Sequence, residues 1–372
     1  MRTFDVAVIG AGIVGAACAR ELAEAGLQTV LIEPEMVGGG ATAAGMGHIA
    51  VMDDSEPQFA LTRYSQLLWR ELAERLPADA EYFPCGVLWI AADEIEMAEV
   101  FRKQRYYSER HAPVEVLDAQ VLREAEPNLR SGLAGALLVR EDAVVYPPCV
   151  ARFLVSEAQQ FGADLILGRR VVSISGNSAI LDDGAAVSCE KLVIANGVAA
   201  PLLVNGISVQ PRKGHLVITD RHPGFVRHQL IELGYLKSAH ATTSDSVAFN
   251  IQPRPSGQLL IGSSRQFGNS DSSVDRKMIS SMLQRAMEYM PGLANLRAIR
   301  SWTGFRAATP DKLPLIGPHP ASDNVYLATG HEGLGITTSL GTAKLIADHL
   351  LHRKSAIDVA PYLPDRSYAV HA

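Results

Sequence analysis

The sequence predicts a two-lobed α/β chain in which a Rossmann-like nucleotide domain is interleaved with an antiparallel-sheet lobe. Three observations carry this. Residues 5–33 read as buried strand, glycine turn, helix and strand; residues 210–300 turn β-rich; and apolar strands at 191–197 and 325–330, each ending in small residues, return the chain to the first lobe. The chain has 372 residues, more than one typical domain needs. The expected division is a discontinuous nucleotide lobe of residues 1–80, 142–209 and 301–372, with a substrate lobe of residues 81–141 and 210–300.

In the opening stretch, Val6, Val8 and Ile9 form the core of a parallel strand, and Gly10, Gly12 and Gly15 give the G-x-G-x-x-G spacing where strand becomes helix. Gly10 permits the tight turn, Gly12 lets a pyrophosphate approach the backbone, and Gly15 lets the helix pack closely on the sheet while its N-terminus faces the phosphates. Glu33 follows at the end of the next strand, where a carboxylate accepts hydrogen bonds from ribose hydroxyls and repels a 2′-phosphate. The ligand is therefore FAD or NAD rather than NADP.

Composition narrows the partners. A net charge of −6, with the basic residues scattered, gives no field for gathering nucleic acid, so a small-molecule ligand is expected. Cys18, Cys85, Cys149 and Cys189 lie far apart with no C-x-x-C pair, which excludes the local spacing for an iron–sulfur cluster or structural zinc and suggests reduced core thiols. No metal site is expected. Met1-Arg-Thr-Phe runs straight into the first strand, leaving no room for a signal peptide, and no eighteen-residue apolar run suggests a membrane span; a cytoplasmic protein is expected.

Beyond Glu33, residues 34–48 are rich in Gly and Ala and flow into Ile49-Ala-Val-Met52, as expected where backbone passes close to a large flat cofactor rather than in a linker. His48 closes that run with an imidazole. Residues 61–76 have helical spacing through Leu61, Tyr64, Leu68, Leu72 and Leu76. A strand at 82–90 precedes a polar helix at 94–111, whose Arg102, Lys103, Arg105 and Arg110 read as a solvated face, and a short helix at 118–127 begins at an acidic cap. A further helix spans 149–161; strands follow at 164–167, 171–174 and 179–181, with Asp182-Asp-Gly184 as a hairpin turn. In the β-rich region, strands are expected at 214–219, 246–252 and 258–264 and an amphipathic helix at 274–290, its Met278, Ile279, Met282, Met287 and Met290 filling a core.

The second strong signal lies at residues 301–317, Ser-Trp-Thr-Gly-Phe-Arg-Ala-Ala-Thr-Pro-Asp-Lys-Leu-Pro-Leu-Ile-Gly. An arginine held among small and apolar residues is costly unless it meets an anion, and the planar fork of Arg306 suits a carboxylate, either a ligand's or an internal one. Residues 325–338 then read as a strand and glycine loop opening a helix that runs to Leu350. The amide groups of that loop and the positive end of the helix would stabilise negative charge on a cofactor.

Taken together, residues 5–33, 38–48, 191–197, 302–317 and 329–347 resemble the FAD-dependent D-amino-acid oxidase and dehydrogenase family, which includes glycine oxidase and sarcosine oxidase. The resemblance implies a glutathione-reductase type FAD domain, with adenosine at the first glycine loop and the isoalloxazine between the lobes. It places the cofactor along Gly10, Gly12, Ile13, Val14, Gly15 and Glu33; along Gly40, Ala41, Thr42, Gly45, Met46 and Gly47; at Val171, Ala195 and Gly197; and at Gly304, Gly330, Gly333, Leu334, Gly335, Ile336 and Thr337. Arg306 falls on the arginine that binds the substrate carboxylate, and Met46 and Gly47 line the reactive side of the ring. The phrase from Gly38 to Ile49, with Met52-Asp-Asp-Ser55 after it, is most similar to FAD subunits of heteromeric D-hydroxyproline dehydrogenase, with hydrogen cyanide synthase and opine oxidase subunits as relatives. That likeness implies companion subunits carrying iron–sulfur centres. One departure is Glu332-Gly333 where some oxidases place Tyr-Arg, so Glu332 becomes a candidate contact for the substrate amine.

The resemblance implies oxidation of the Cα–N bond of a D-imino or D-amino acid, best matched by D-hydroxyproline, by hydride transfer to the flavin. The site set is Arg306 for the carboxylate, with His48, Met46 and Glu332 around the reacting atoms. The alternatives are a stand-alone oxidase using oxygen on glycine, sarcosine or a D-amino acid, and a flavin-binding subunit that is itself inactive. The sequence has neither G-x-S-x-G nor H-E-x-x-H, which argues against a serine hydrolase or a zinc enzyme.

Overall fold

The computed structural model describes residues 3–234, 245–268 and 270–366, so Met1 and Arg2 of the opening phrase lie outside the described residues. The chain starts β1 (Phe4–Ile9), α1 (Ile13–Glu24), β2 (Thr29–Glu33), α2 (Gly40–Ala44), β3 (His48–Ile49), α3 (Glu56–Ala73), β4 (Val87–Ala91), α4 (Glu94–Glu109). It continues through β5 (Val114–Asp118), α5 (Ala119–Ala125), β6 (Gly135–Val139), β7 (Ala143–Val144), α6 (Pro147–Gln160), β8 (Asp164–Leu167), β9 (Val171–Ser175), β10 (Ser178–Leu181), β11 (Ala186–Ile194). The remaining elements are β12 (Gln210–Thr219), β13 (Gln229–Glu232), β14 (Ser246–Pro253), β15 (Leu259–Phe267), α7 (Arg276–Tyr289), β16 (Ala298–Ala308), β17 (Leu315–Pro318), β18 (Val325–Thr329) and α8 (Gly335–Leu350).

The first sheet runs β17-β18-β11-β1-β2-β8, with β10 and β9 extending from β11. β1 lies at its centre, parallel to both β2 and β11, and β18 adds in parallel beyond β11. One face of this sheet packs Val6, Val8 and Leu31 against α1, α6 and α8; the other packs Ala7, Ile9, Val30 and Ile32 against the β9–β11 layer. Burial on both faces explains why these strands read as continuous apolar runs.

The second sheet runs β16-β12-β15-β14-β13-β4-β6-β5. Its strands alternate between two surfaces. Leu230, Phe249, Ile251, Leu259 and Ile261 face Met282, Ala286 and Tyr289 of α7. The opposite surface sets Leu216 and Leu260 against Met46, and Trp89 and Ile231 against Val51 and Met52. This surface roofs the segment that follows α2.

Several elements depart from the sequence reading. Residues 301–308, read with the nucleotide lobe, belong to β16 and pair with β12 in the second sheet. Strands β5 and β6 were not anticipated. In α3 the buried stripe is Leu61, Ser65, Trp69 and Leu72 rather than Leu68, because Ser65 packs on Gly341 of α8 and Gln66 bonds the Asp142 carboxylate at 2.6 Å. The solvated face of α4 is corrected at Lys103, which is fully buried, ion-paired to Asp53 and 4.8 Å from the Trp89 ring centroid. Arg102 reaches the same Asp53 at 3.0 Å.

All four cysteines are free and buried. Among the described residues no group of three or more His, Cys, Asp or Glu is placed to hold a metal ion, and no helix is long and apolar enough to cross a membrane.

Candidate active site

The glycine turn is built as its spacing demands. Gly10 has φ of +102°, a conformation open to glycine, and an added Cβ would sit 2.9 Å from the Ala195 carbonyl oxygen. A Cβ on Gly15 would overlap the Gly10 carbonyl, so only glycine lets α1 start this close to β1. Glu33 accepts from Ala11 N at 2.8 Å and from Glu35 N at 3.0 Å, which fixes its carboxylate at the mouth of the turn. Thr42 is brought to the same place, its hydroxyl accepting from Ile13 N at 3.0 Å. Val171 sits in the core on the same side of the sheet, three residues after Gly168, whose N–H bonds the Glu33 carbonyl at 2.8 Å.

The predicted small-residue run folds as the short helix α2 and then passes beneath β16. A Cβ on Gly45 would meet the Ile336 side chain at 2.7 Å, one on Gly304 would overlap Ala44, and Trp302 Nε1 donates to Ala44 O at 3.3 Å. Gly40 and Gly47 both have positive φ, and a Cβ on Gly47 would overlap the Val145 carbonyl. Ala41 lies exposed on α2. Gly197, at φ +60°, gives its carbonyl to the Thr329 hydroxyl at 3.0 Å, and Gly330, at φ +78°, turns the chain out of β18. Leu334 caps α8, and Gly335 opens it beside Val14, 3.9 Å from where a Cβ would lie. Thr337 is tied inward, donating to His48 O at 2.9 Å and accepting from Ala50 N at 3.3 Å.

The positive ends of α1 and α8 therefore meet, at Val14 and Gly335, each with first-turn N–H groups that have no acceptor within the helix. Next to them stand the Glu33 carboxylate and the buried Asn196 amide oxygen, which lacks a partner among the described residues. Converging N–H donors for a pyrophosphate, with acceptors for hydroxyl groups at the strand ends, fit a dinucleotide. FAD fits this donor set.

The candidate substrate side is the layer between residues 46–48 and the second sheet. Arg306 extends from β16 across Gly214 of β12 and donates from Nη1 to the Ser264 carbonyl at 3.1 Å. Gly333 flanks its stem, a Cβ there lying 3.7 Å from Nε. Met46 is buried, and its sulfur would lie 3.0 Å from a Cβ on Gly262. His48 accepts from the Gln229 amide, Nε2 to Nε2 at 2.9 Å, which leaves its ring proton on Nδ1. Burial and then the nearby Arg306 charge lower the His48 pKa to about 4, so the ring is neutral at physiological pH. Glu332 is brought to the site but ion-pairs with Arg212, itself stacked over Phe267 with its guanidinium carbon 4.5 Å from the ring centroid. One Glu332 oxygen meets Arg212, and its Oε2 is buried without a donor among the described residues.

Sequence reasoning missed Gln229, Asn250 and Gln252, all buried around residues 46–48. Gln252 holds the Met46 carbonyl through its amide at 2.9 Å. Their signal was present: in β14, Asn250 and Gln252 alternate with the core residues Phe249 and Ile251, so polar side chains occupy the face opposite the core.

A family model described as DAO, FAD dependent oxidoreductase, matches residues 5–349. The chain is 30% identical over 374 residues to a glycine oxidase of Geobacillus kaustophilus, covering 96% of each. It is 28% identical over 425 residues to the hydrogen cyanide synthase subunit HcnC of Pseudomonas aeruginosa, covering 98% of this chain and 96% of that one. The crystal structure of glycine oxidase from Geobacillus kaustophilus superposes with a TM-score of 0.88 at 28% identity, over 99% of this chain and 100% of the other. These relatives favour the glycine-oxidase alternative over the D-hydroxyproline reading, and they make the site that of an FAD-dependent oxidoreductase acting on amino acids.

Proposed function

Because the chain belongs to the DAO family of FAD-dependent oxidoreductases, we propose that it oxidises the C–N bond of a small α-amino or α-imino carboxylate, as the name glycine oxidase describes for its relatives. Bound FAD supplies the hydride acceptor. The observation that carries the substrate class is Arg306, whose guanidinium, anchored on Ser264 O at 3.1 Å, lies beside the Met46–His48 segment, where it would hold a carboxylate. The Arg306 charge and the buried setting, which also keep His48 neutral, disfavour an ammonium and favour the neutral amine that can lose hydride. The second sheet covers the site with Leu216, Leu260 and Trp302, which exclude water from the reacting carbon.

Arg306→Ala should raise the KM of a carboxylated substrate and lower kcat/KM by about 100-fold or more, the usual cost of removing one partner of a buried charge pair. An unchanged KM would remove Arg306 from the site. A second reading, catalysis as one subunit of a heteromeric dehydrogenase with iron–sulfur companions and D-hydroxyproline as substrate, draws support from the similarity to HcnC, named as a subunit. Peroxide release separates the two. Rapid stoichiometric peroxide from the purified chain supports the oxidase; slow turnover restored by an artificial electron-accepting dye supports the dehydrogenase subunit.

A further inference from the structure

Strand β12 turns consecutive residues to opposite faces of the second sheet. Gly214 faces the candidate site, and the Arg306 guanidinium lies across it so closely that an added Cβ would sit 2.5 Å from Nη1. His215, the next residue, is fully buried on the other face, where Val217 packs with Met282 and Ala286 of α7. Both of its ring nitrogens are engaged. Nε2 accepts from Asp275 N at 3.1 Å, so the ring proton sits on Nδ1, which donates to Ser264 Oγ at 3.0 Å. Asp275 is the N-cap of α7, and its carboxylate accepts from Lys277 N and Met278 N. His215 therefore ties the start of that helix to Ser264 of β15.

Ser264 is where this tie reaches the site. The β12–β15 ladder loses its regular register between Lys213 and Val217, the interval that contains Gly214 and His215. In that gap the Ser264 hydroxyl accepts from His215 N at 2.9 Å as well as from Nδ1, while the Ser264 carbonyl accepts from Arg306 Nη1 at 3.1 Å. Irregular pairing of this kind re-aims groups beside a site, and here a side chain holds it in place. An apolar side chain could fill the space of His215, as Val217 does two residues on, but would leave Asp275 N and Ser264 unlinked. Burial and then the charge of Lys213, with Arg306 adding to them and Asp275 opposing, lower the His215 pKa. The neutral ring keeps the one donor and the one acceptor that its two contacts require.

We propose that His215 is a positioning residue for Arg306: from the far face of the second sheet it fixes Ser264 against α7, and the Ser264 carbonyl then aims the guanidinium at the substrate carboxylate. The inference rests on the reading of Arg306 as the carboxylate anchor. Facing away from the site, His215 acts only through Ser264. The planar fork of an arginine gives its full hold on a carboxylate only when its plane is set, and a displacement of about 1 Å in the anchor is enough to weaken that contact.

The test titrates the FAD-loaded protein with pyrrole-2-carboxylate, an unreactive carboxylate, following the flavin absorbance and measuring the thermal midpoint alongside. His215→Phe keeps a buried ring with neither donor nor acceptor and is expected to raise the Kd about tenfold. His215→Gln, which keeps an N–H donor and a carbonyl acceptor, should bring the Kd back to within about threefold of the unaltered protein. Ser264→Ala removes the hydroxyl and leaves the carbonyl; it should raise the Kd in the same direction, and it serves where His215→Phe does not fold. The double variant should bind no more than about twofold weaker than the weaker single one, because both changes break one route. A merely structural role would lower the midpoint of His215→Phe and leave its Kd unchanged. That result overturns the inference, as does a double variant in which the two losses multiply. Arg306→Ala tells the two readings apart. If it leaves the Kd unchanged, or if the unaltered protein gives no flavin response, the carboxylate reading falls and this inference with it. If it raises the Kd while neither His215→Phe nor Ser264→Ala does, only the inference falls.

Discussion

His48 and Lys103 show how position sets the behaviour of a titratable residue here. Burial and Arg306 lower the His48 pKa to about 4, and burial lowers that of His331, bonded to Thr342, to about 3. Both rings are neutral in the fold, so on acidification the unfolded chain takes protons first. Their contribution is full above the unfolded value near 6.5 and is lost as pH falls through the folded values. The thermal midpoint should decline as pH drops from about 6.5 towards 4, less steeply in His48→Gln. That variant should also leave the shape of the kcat/KM profile unchanged between about pH 6 and 8, because no step there belongs to His48. Lys103 is a different case: fully buried, its ammonium answers the Asp53 carboxylate. Lys103→Met leaves that carboxylate only the half-exposed Arg102 as a cationic partner and should cost about 3 kcal/mol in denaturant melts, most of it recovered when Asp53→Asn is added. Arg306 stands out in the sequence as a charge among small residues, and the fold sets it across Gly214 against the Ser264 carbonyl. Lys103 was not legible there, because a helix with four basic residues near one another reads as wet until the partner, fifty positions away in sequence, is known.

At the scale of elements, close approach by glycine governs the site. α1 starts where a Gly15 Cβ would overlap the Gly10 carbonyl, so Gly15→Ala must drive the helix away from the turn. The expected outcome is a folded protein purified with a lower ratio of flavin to protein absorbance; full flavin content would show that the approach is not needed. Gly304 abuts Ala44 two residues before Arg306 in β16. Gly304→Ala should shift that strand and raise KM for the carboxylate by about ten- to a hundredfold, the sensitivity expected of a misplaced positioning group. These glycines were legible, since their spacing is a sequence property. β6 was not: Gly-Ala-Leu-Leu-Val is buried throughout, and a short apolar run without alternation does not declare itself a strand. The shift of the α3 stripe onto Ser65 and Trp69 was equally hidden, because it depends on the notch that Gly341 cuts in α8.

Across the whole molecule, the candidate cofactor site draws on pieces far apart in the chain: the turn at residues 10–15, Glu33, α2 and the segment after it, Ala195 to Gly197, and the start of α8. The expected division into discontinuous lobes followed from strands that end in small residues, whereas the crossing of β16 into the second sheet depends on its ten-residue register with β12, which sequence does not display. The segment carrying Met46 and His48 touches both sheets' elements, bonding Gln229 and Gln252 on one side and Thr337 on the other. FAD bound along these pieces ties them together only in the folded state, so its binding free energy adds to stability by mass action, about 2.7 kcal/mol at a hundredfold excess over Kd. Protein stripped of flavin should therefore melt several degrees lower, and added FAD should raise the midpoint in proportion to the logarithm of its concentration. Adenosine diphosphate, which carries the adenosine and pyrophosphate but no flavin ring, should recover only part of the rise. A midpoint indifferent to FAD would mean that these segments are held in place without the cofactor, and equal recovery by the nucleotide would mean that the flavin half contributes nothing to the hold.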